Sequence, residues 1–141
     1  MPTYGFGANV LFPNHPQKGQ VSHFFPCSGD MAKTAGYGVS GVFQLYSECL
    51  RNVQLNGPTY FSPMLKEVVT FTREAFLKDP NSYLVLLILT DGAIHDMRDT
   101  IDWIVEGSEL PLSVIIVGIG SADFSLMDAL DSDDKVATGP N

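Results

Sequence analysis

The most constraining feature of this sequence is an apolar run that ends at an acidic residue. Tyr83 to Leu89 is uninterrupted apolar sequence with mostly branched side chains, and Thr90, Asp91 and Gly92 follow it directly. Such a run predicts a β-strand that is buried on both faces of a sheet. In open α/β sheets, ligands bind at the edge where the strands end. Asp91 is therefore either a ligand for a hard cation or merely a cap for the turn that follows.

The composition predicts one globular domain and disfavours several kinds of ligand. The 141 residues are 45% hydrophobic and 17% charged, which allows a real core. A net charge of −8 disfavours binding to nucleic acid and unaided binding to anionic lipid. The sequence shows neither a secretory signal nor an apolar stretch long enough to span a membrane. Because two cysteines are too few for a disulfide framework, we expect a reducing, cytoplasmic location.

Strand and helix patterns alternate along the chain. Strands are expected at 4–12, 21–25, 83–90 and 112–117, the first two as a hairpin and the last two fully buried. Apolar stripes predict helices at 38–54, 62–78 and 97–108, each with one buried face, and helical turns at 124–130. Cys49 lies on the first stripe and is expected to be a buried core thiol. Two buried strands joined by a helix form a βαβ unit, which requires a parallel sheet.

Two oxygen-bearing side chains are expected at the same edge of this sheet. In a βαβ unit each helix runs back across the sheet, so its N-terminus lies at the edge where the strands end. Thr59 precedes the helix that begins near Ser62, with Ser62 as its cap, and Asp91 follows the next strand. A hydroxyl and a carboxylate that converge in this way suit Mg²⁺, Mn²⁺ or Ca²⁺.

Other chemistry-bearing patterns favour structural roles. Residues 36–41 match G-x-G-x-x-G but follow no predicted strand, so a flexible helix entry is expected there. His95 and Asp96 are typical of solvated turns. Trp103 lies off the main stripe of its helix and is expected to pack against an adjacent element rather than to anchor a partner. A final acidic stretch lacks the EF-hand glycine and predicts a solvated surface; it comprises Asp123, Asp128, Asp131, Asp133 and Asp134.

Seven segments, taken in order, resemble the von Willebrand factor A-type domain of copines. The longest are NGPTYFSP at 56–63, LILTDG at 87–92 and LPLSVIIVGIG at 110–120. The shorter ones are YGFGA at 4–8, VSH at 21–23, VQL at 53–55 and LDSDD at 130–134. Each motif is weak alone, but together they cover nearly the whole chain. Plant ubiquitin ligases that carry a RING finger have a related domain and are a secondary match.

The resemblance implies a fold and a metal site. The fold is α/β, a doubly wound and mostly parallel sheet with helices on both faces and a metal-ion-dependent adhesion site at its top edge. That site uses an Asp-x-Ser/Thr-x-Ser loop, a Thr and an Asp, and the resemblance places the Thr on Thr59 and the Asp on Asp91. The first loop has no counterpart here. Residues 1–141 thus resemble a partial domain that lacks the first central strand and the last strand.

The resemblance also implies a function. Copines bind phospholipid in response to calcium, and their A-type domain is thought to recruit target proteins. Mg²⁺ or Mn²⁺ would bind at Thr59 and Asp91 in the intact domain, and weakly or not at all in this chain alone. Ca²⁺ and phospholipid membranes would be bound by modules outside this chain, which would give the full-length protein calcium-dependent membrane recruitment. Without the central strand two strand edges would be unpaired, so we expect either direct closure of the gap or strand exchange in a homo-oligomer.

The alternative is a metal-dependent hydrolase or phosphotransferase at the same edge of the sheet. An enzyme needs a nucleophile or a base close to Asp91. Thr59, His95 and Asp96 are the nearest candidates, and the sequence offers no orienting partner for any of them. It therefore favours a binding module over an enzyme.

Overall fold

The chain divides between Thr59 and Tyr60 into two units. The structure, a computed structural model, describes residues 1–131. The described elements are mixed α/β, as predicted. Among them, no helix has the length and apolar content needed to cross a bilayer. The single partial domain expected over residues 1–141 stays a prediction.

The first unit consists of short antiparallel strands and one helix. Its elements are β1 (Tyr4–Gly5), β2 (Ala8–Val10), β3 (Val21–Ser22), β4 (Phe25–Pro26), α1 (Gly38–Cys49) and β5 (Val53–Leu55). β1 pairs with β4, and β2 lies between β3 and β5. The β2–β3 pairing confirms the predicted hairpin. The expected strand at 4–12 is interrupted because Gly7 has a φ of 69°, which does not continue a strand.

The first helix is shorter than the helix that the apolar pattern predicts at 38–54. α1 ends at Cys49, and the N–H of Asn52 donates to the carbonyl of Cys49 at 2.8 Å. Val53 then starts β5, which pairs antiparallel with β2. The expected buried stripe is also wrong, since Val39 and Phe43 are largely exposed and only Cys49 is fully buried in this helix.

The core of the first unit lies between its strands and the end of α1. Leu45 and Val53 pack against this core. Its buried members are Ala8, Val10, Phe12, Phe25, Cys27 and Cys49. The expectation that Cys49 is a buried core thiol is therefore confirmed.

The second unit contains the predicted strand–helix–strand arrangement. Its elements are α2 (Ser62–Lys78), β6 (Leu84–Thr90), α3 (Met97–Gly107), β7 (Leu112–Gly118) and a 3₁₀ turn at Ser125–Leu130. β6 and β7 are parallel, with a register that runs from Leu84 opposite Leu112 to Thr90 opposite Gly118. The expected βαβ unit is confirmed.

Helices α2 and α3 pack closely on each other and on β7. A Cβ atom on Gly107 would lie 3.2 Å from side-chain atoms of both Val69 and Leu112, so glycine permits this close approach. A cavity of about 180 Å³ lies beside it, and its lining includes Trp103 from α3 and Val114 from β7. Trp103 faces this cavity, and its packing against an adjacent element stays a prediction.

The two-stranded sheet is covered on one face only. Along β6, Ile88 and Thr90 are buried, whereas Val85, Leu87 and Leu89 are 57%, 56% and 54% exposed. The prediction of a strand buried on both faces is therefore wrong. Within the described part of the second unit, nothing covers these alternate side chains. The doubly wound arrangement with helices on both faces stays a prediction.

We expect truncation of two neighbouring side chains of β6 to change the free energy of unfolding by very different amounts. Ile88→Ala should lower the free energy of unfolding by about 2–4 kcal/mol, because it removes packed methyl groups from the core. Leu87→Ala should lower it by less than about 1 kcal/mol, since the side chain is already exposed. Urea denaturation followed by circular dichroism measures both values. Equal losses in the two variants would contradict the one-sided burial of this strand.

Candidate metal-binding edge

Asp91 lies at the carboxyl end of β6, where the sequence placed it. It follows Thr90, the last residue of the strand, and its side chain is exposed. No group within residues 1–131 is seen to hydrogen-bond its carboxylate. Its side chain is thus presented to solvent at the edge of the sheet, and its role as a metal ligand stays a prediction.

Asp96 holds the loop after β6 against the start of α2. Its Oδ1 atom accepts the backbone N–H of Phe61 at 2.9 Å, and its Oδ2 atom accepts that of Ser62 at 2.8 Å. The hydroxyl of Thr100 donates to Oδ1 at 3.2 Å. Asp96 is therefore an anchoring carboxylate, and the expectation that it is a solvated turn residue is wrong.

The same contacts correct the expected cap of α2. Phe61 occupies the N-cap position, and its side chain makes no capping hydrogen bond. The N–H groups at the start of a helix lack intrahelical partners, and the helix dipole is positive there. Asp96 supplies a negatively charged acceptor from a distant segment, in the role predicted for Ser62.

The electrostatics of Asp96 agree with this geometry. Burial raises the pKa of the carboxyl group, but hydrogen bonds to the charged form outweigh that effect. The donors are the hydroxyl of Ser62, the backbone N–H groups of Phe61 and Ser62, and the hydroxyl of Thr100. The net result is a pKa below the ordinary value for aspartate, so this group is ionised at neutral pH.

The segment from Asp91 to Asp96 is fixed at both ends. Before it, the carbonyl of Thr90 accepts the N–H of Ile119 at 2.8 Å, which extends the β6–β7 pairing. After it, Asp96 binds the start of α2. Ile94, inside the segment, is buried. Sequence reasoning missed Ile94, although one branched apolar residue in a polar turn was a usable signal. The exposed carboxylate of Asp91 thus projects from an anchored loop.

Thr59 is the last residue of the first unit. Gly7 lies close to this residue, and its carbonyl accepts the backbone N–H of Asn56 at 3.0 Å. A Cβ on Gly7 would lie 4.0 Å from Oγ1 of Thr59. Because Thr59 and Asp91 belong to the two separately described units, their convergence stays a prediction.

The side-chain oxygens of Asp91 and Thr59 are of the kind that binds a hard cation, but two donors are too few for a complete site. A carboxylate at Asp91 and a hydroxyl at Thr59 are oxygen ligands that Mg²⁺ and Mn²⁺ accept. Among residues 1–131, no three His, Cys, Asp or Glu side chains are grouped so that they could hold a metal ion. A complete octahedral site would need water or further protein oxygens besides these two donors.

Two further sequence candidates, Asp123 and the glycines at 36–41, have structural roles. Oδ1 of Asp123 accepts the N–H of Ser125 at 2.9 Å and so starts the 3₁₀ turn. The glycines at 36–41 allow backbone to approach backbone, since a Cβ on Gly36 would lie 2.8 Å from the nitrogen of Val42. That fits the expected helix entry. Asp133 and Asp134 lie outside the described residues.

Removing the Asp96 carboxylate should destabilise the protein. Asp96→Ala leaves the first N–H groups of α2 without their charged acceptor, and we expect a loss of about 1–2 kcal/mol in the free energy of unfolding. Asp102→Ala is the matched control, because Asp102 is an exposed acid on α3. Urea denaturation at pH 7 compares the two. A loss no greater than that of the control would contradict the anchoring role.

The lowered pKa of Asp96 also predicts a pH dependence. A carboxyl group whose pKa is lower in the folded state contributes stability above its unfolded pKa, and this contribution is lost as pH falls through the folded pKa. Between about pH 5 and pH 2, the wild type should therefore lose more stability than Asp96→Asn, which does not titrate. Thermal unfolding across this range measures the difference. Parallel curves would be inconsistent with a lowered pKa at Asp96.

Comparison with known proteins places the chain in a family. The family model described as "Copine" matches residues 1–140. Copine-A from Dictyostelium discoideum is 41% identical over 134 residues, which are 95% of this chain and 22% of Copine-A. The chain thus spans about a fifth of the length of this relative. These matches confirm the resemblance seen in the seven sequence segments. On this similarity, which runs almost from end to end, the chain belongs to the copine family.

Proposed function

We propose that this chain is part of a protein-binding module that recruits target proteins through a divalent cation at the carboxyl edge of the β6–β7 sheet. The observation that carries the proposal is the exposed carboxylate of Asp91 on a loop fixed at both ends. Membership of the copine family supports a role in protein interaction. In this mechanism Asp91 binds the cation on one side, and an acidic side chain of the target binds it on the other.

The anchoring of the loop supports binding through this edge. Asp96 fixes the end of the loop and Ile94 is buried within it, so little conformational freedom remains to be lost when Asp91 takes a ligand. A binding group held on a fixed loop keeps its geometry between the free and bound states. This arrangement favours a preformed cation site over one that orders only on binding.

The cation of this module would be Mg²⁺ or Mn²⁺. Thr59 would add its hydroxyl oxygen to the carboxylate of Asp91, and other oxygen donors of the longer protein or water would fill the remaining positions. We further propose that Ca²⁺ and phospholipid bind to other modules of the longer protein. That protein would then be cytoplasmic and would move to membranes when calcium rises.

The described contacts favour binding over hydrolysis or phosphotransfer at this edge. A hydrolase would need a free base near Asp91. Asp96 is the nearest acid along the chain, and both of its oxygens are committed to the start of α2 and to Thr100. Its lowered pKa also makes it a weak base at neutral pH.

Self-association through β6 is a further proposal. Within the described part of the second unit β6 pairs only with β7, and its exposed face carries Val85, Leu87 and Leu89. A strand with an open edge and an apolar face is a template for another strand. Sedimentation velocity over a hundredfold range of concentration tests this. We expect dimers in the wild type and fewer in Leu87→Lys; a monomer throughout would contradict the proposal.

Metal-dependent capture of target proteins tests the binding mechanism. Immobilised full-length protein should retain target proteins from cell extract in Mg²⁺ and release them in EDTA. Asp91→Asn should abolish the Mg²⁺-dependent fraction, because it removes the charged ligand. The matched control Asp102→Asn changes the net charge equally at an exposed site on α3 and should bind normally. Equal capture by Asp91→Asn and the control would exclude the metal bridge at Asp91.

Direct titration tests the number of donors. Calorimetric titration of the 141-residue chain with Mg²⁺ and with Mn²⁺ should give dissociation constants of about 1 mM or weaker, since it brings one carboxylate and one hydroxyl. The full-length protein should bind more tightly. Micromolar affinity in the 141-residue chain would show that a site with more donors exists within it.

A further inference from the structure

The core of the first unit contains two thiols in contact. Cys27 follows β4, and Cys49 is the last residue of α1. Both belong to the same buried cluster, both are free cysteines, and they are 3% and 4% exposed. Their side chains hydrogen-bond to each other. They are thus neighbours in space, although 21 residues separate them in the sequence.

Both cysteines are held by backbone contacts on either side of the pair. The N–H of Cys27 donates to the carbonyl of Thr3 at 3.0 Å, which ties it to the strand segment at the N-terminus. The carbonyl of Cys49 accepts the N–H of Asn52 at 2.8 Å, which fixes the turn after α1. A bond between the two sulfur atoms would therefore join the turn after β4 to the end of α1, inside one buried cluster.

We propose that Cys27 and Cys49 form an oxidation site at which hydrogen peroxide converts the two thiols into an intramolecular disulfide. The small fraction of exposed surface at both residues restricts the oxidant to a small hydroperoxide and disfavours bulky disulfides. The two thiols together supply two electrons, and one peroxide molecule is reduced to two molecules of water. The disulfide would cross-link two elements of the first unit.

The two cysteines have different roles in this reaction. The hydrogen bond with Cys49, together with burial, raises the pKa of the Cys27 thiol, whereas accepting that hydrogen bond lowers the pKa of Cys49. Cys49 is therefore the attacking thiolate. Its sulfur bonds to one peroxide oxygen, the O–O bond breaks, and hydroxide leaves and is protonated to water. The sulfur of Cys27 then attacks the sulfenic acid of Cys49, the S–O bond breaks, and the second water leaves.

The position of Cys49 in its helix limits the speed of this reaction. The C-terminal end of a helix is the negative end of its dipole and disfavours a thiolate. The hydrogen bond from Cys27 is therefore the main contact that stabilises the anion at Cys49. We expect oxidation over minutes to hours in millimolar peroxide, at rates typical of unassisted thiols. Removal of the Cys27 hydrogen bond should slow the first step further.

Mass spectrometry of the folded 141-residue chain after treatment with hydrogen peroxide tests the proposal. We expect a monomer that has lost two hydrogen atoms, has no alkylatable thiol after denaturation, yields a linked peptide pair of Cys27 and Cys49, and is restored by dithiothreitol. Two thiols that remain alkylatable, a link between two chains, or a sulfinic acid at either cysteine in place of the link would each overturn it.

Single substitutions test the order of the two steps. Cys27→Ser keeps a hydrogen-bond donor but cannot form the disulfide, so Cys49 should stop at the sulfenic acid and be labelled by dimedone. Cys27→Ala removes the donor, and labelling of Cys49 should be several-fold slower than in Cys27→Ser. Circular dichroism confirms that both variants are folded. Equal labelling rates in the two variants, or faster labelling of Cys27 in Cys49→Ser, would overturn the assigned roles.

Discussion

The carboxylate of Asp96 and the N-terminus of α2 form the contact on which the second unit depends. Two N–H groups at the start of this helix donate to the two oxygens of one side chain. The contact satisfies donors that a helix leaves unpaired, and it places a negative charge at the positive end of the dipole. It also ties the segment after β6 to α2, so that Asp91 is held in the open at the edge of the sheet. The proposed metal bridge relies on this arrangement.

The strand–helix–strand order of the second unit could be predicted because its signals are local. The sequences of β6 and β7 are rich in apolar residues with branched side chains. The apolar stripe that predicts α3 lies between them in the sequence. The extent of burial could not be predicted, since an all-apolar strand has the same sequence whether one or both faces are covered. At Leu87 and Leu89 the structure shows one covered face. The end of α1 was missed for a related reason, because Val53 continues the helical spacing after the chain has turned into β5.

The candidate site was predictable only in part. Asp91 follows a recognisable strand, so its place at the edge was available from the sequence. The role of Asp96 was not, because its partners lie 34 and 35 residues away and are backbone groups, which leave no mark on the residue pattern. The contact between Cys27 and Cys49 was hidden in the same way. Both cases show side chains whose function is set by tertiary contacts rather than by their neighbours in sequence.

The register of the parallel strands has a consequence for how such a surface can diversify. Thr90 lies opposite Gly118, so the two strands stop level with each other. A Cβ on Gly118 would lie 3.0 Å from the ring of Phe124, and the absent side chain lets the second loop fold back at once. The loops after β6 and β7 therefore start from one platform. Exposed residues of either loop, unlike Ile94 and Asp96, can therefore be exchanged without altering a pair in the sheet, so a change in binding preference need not change stability.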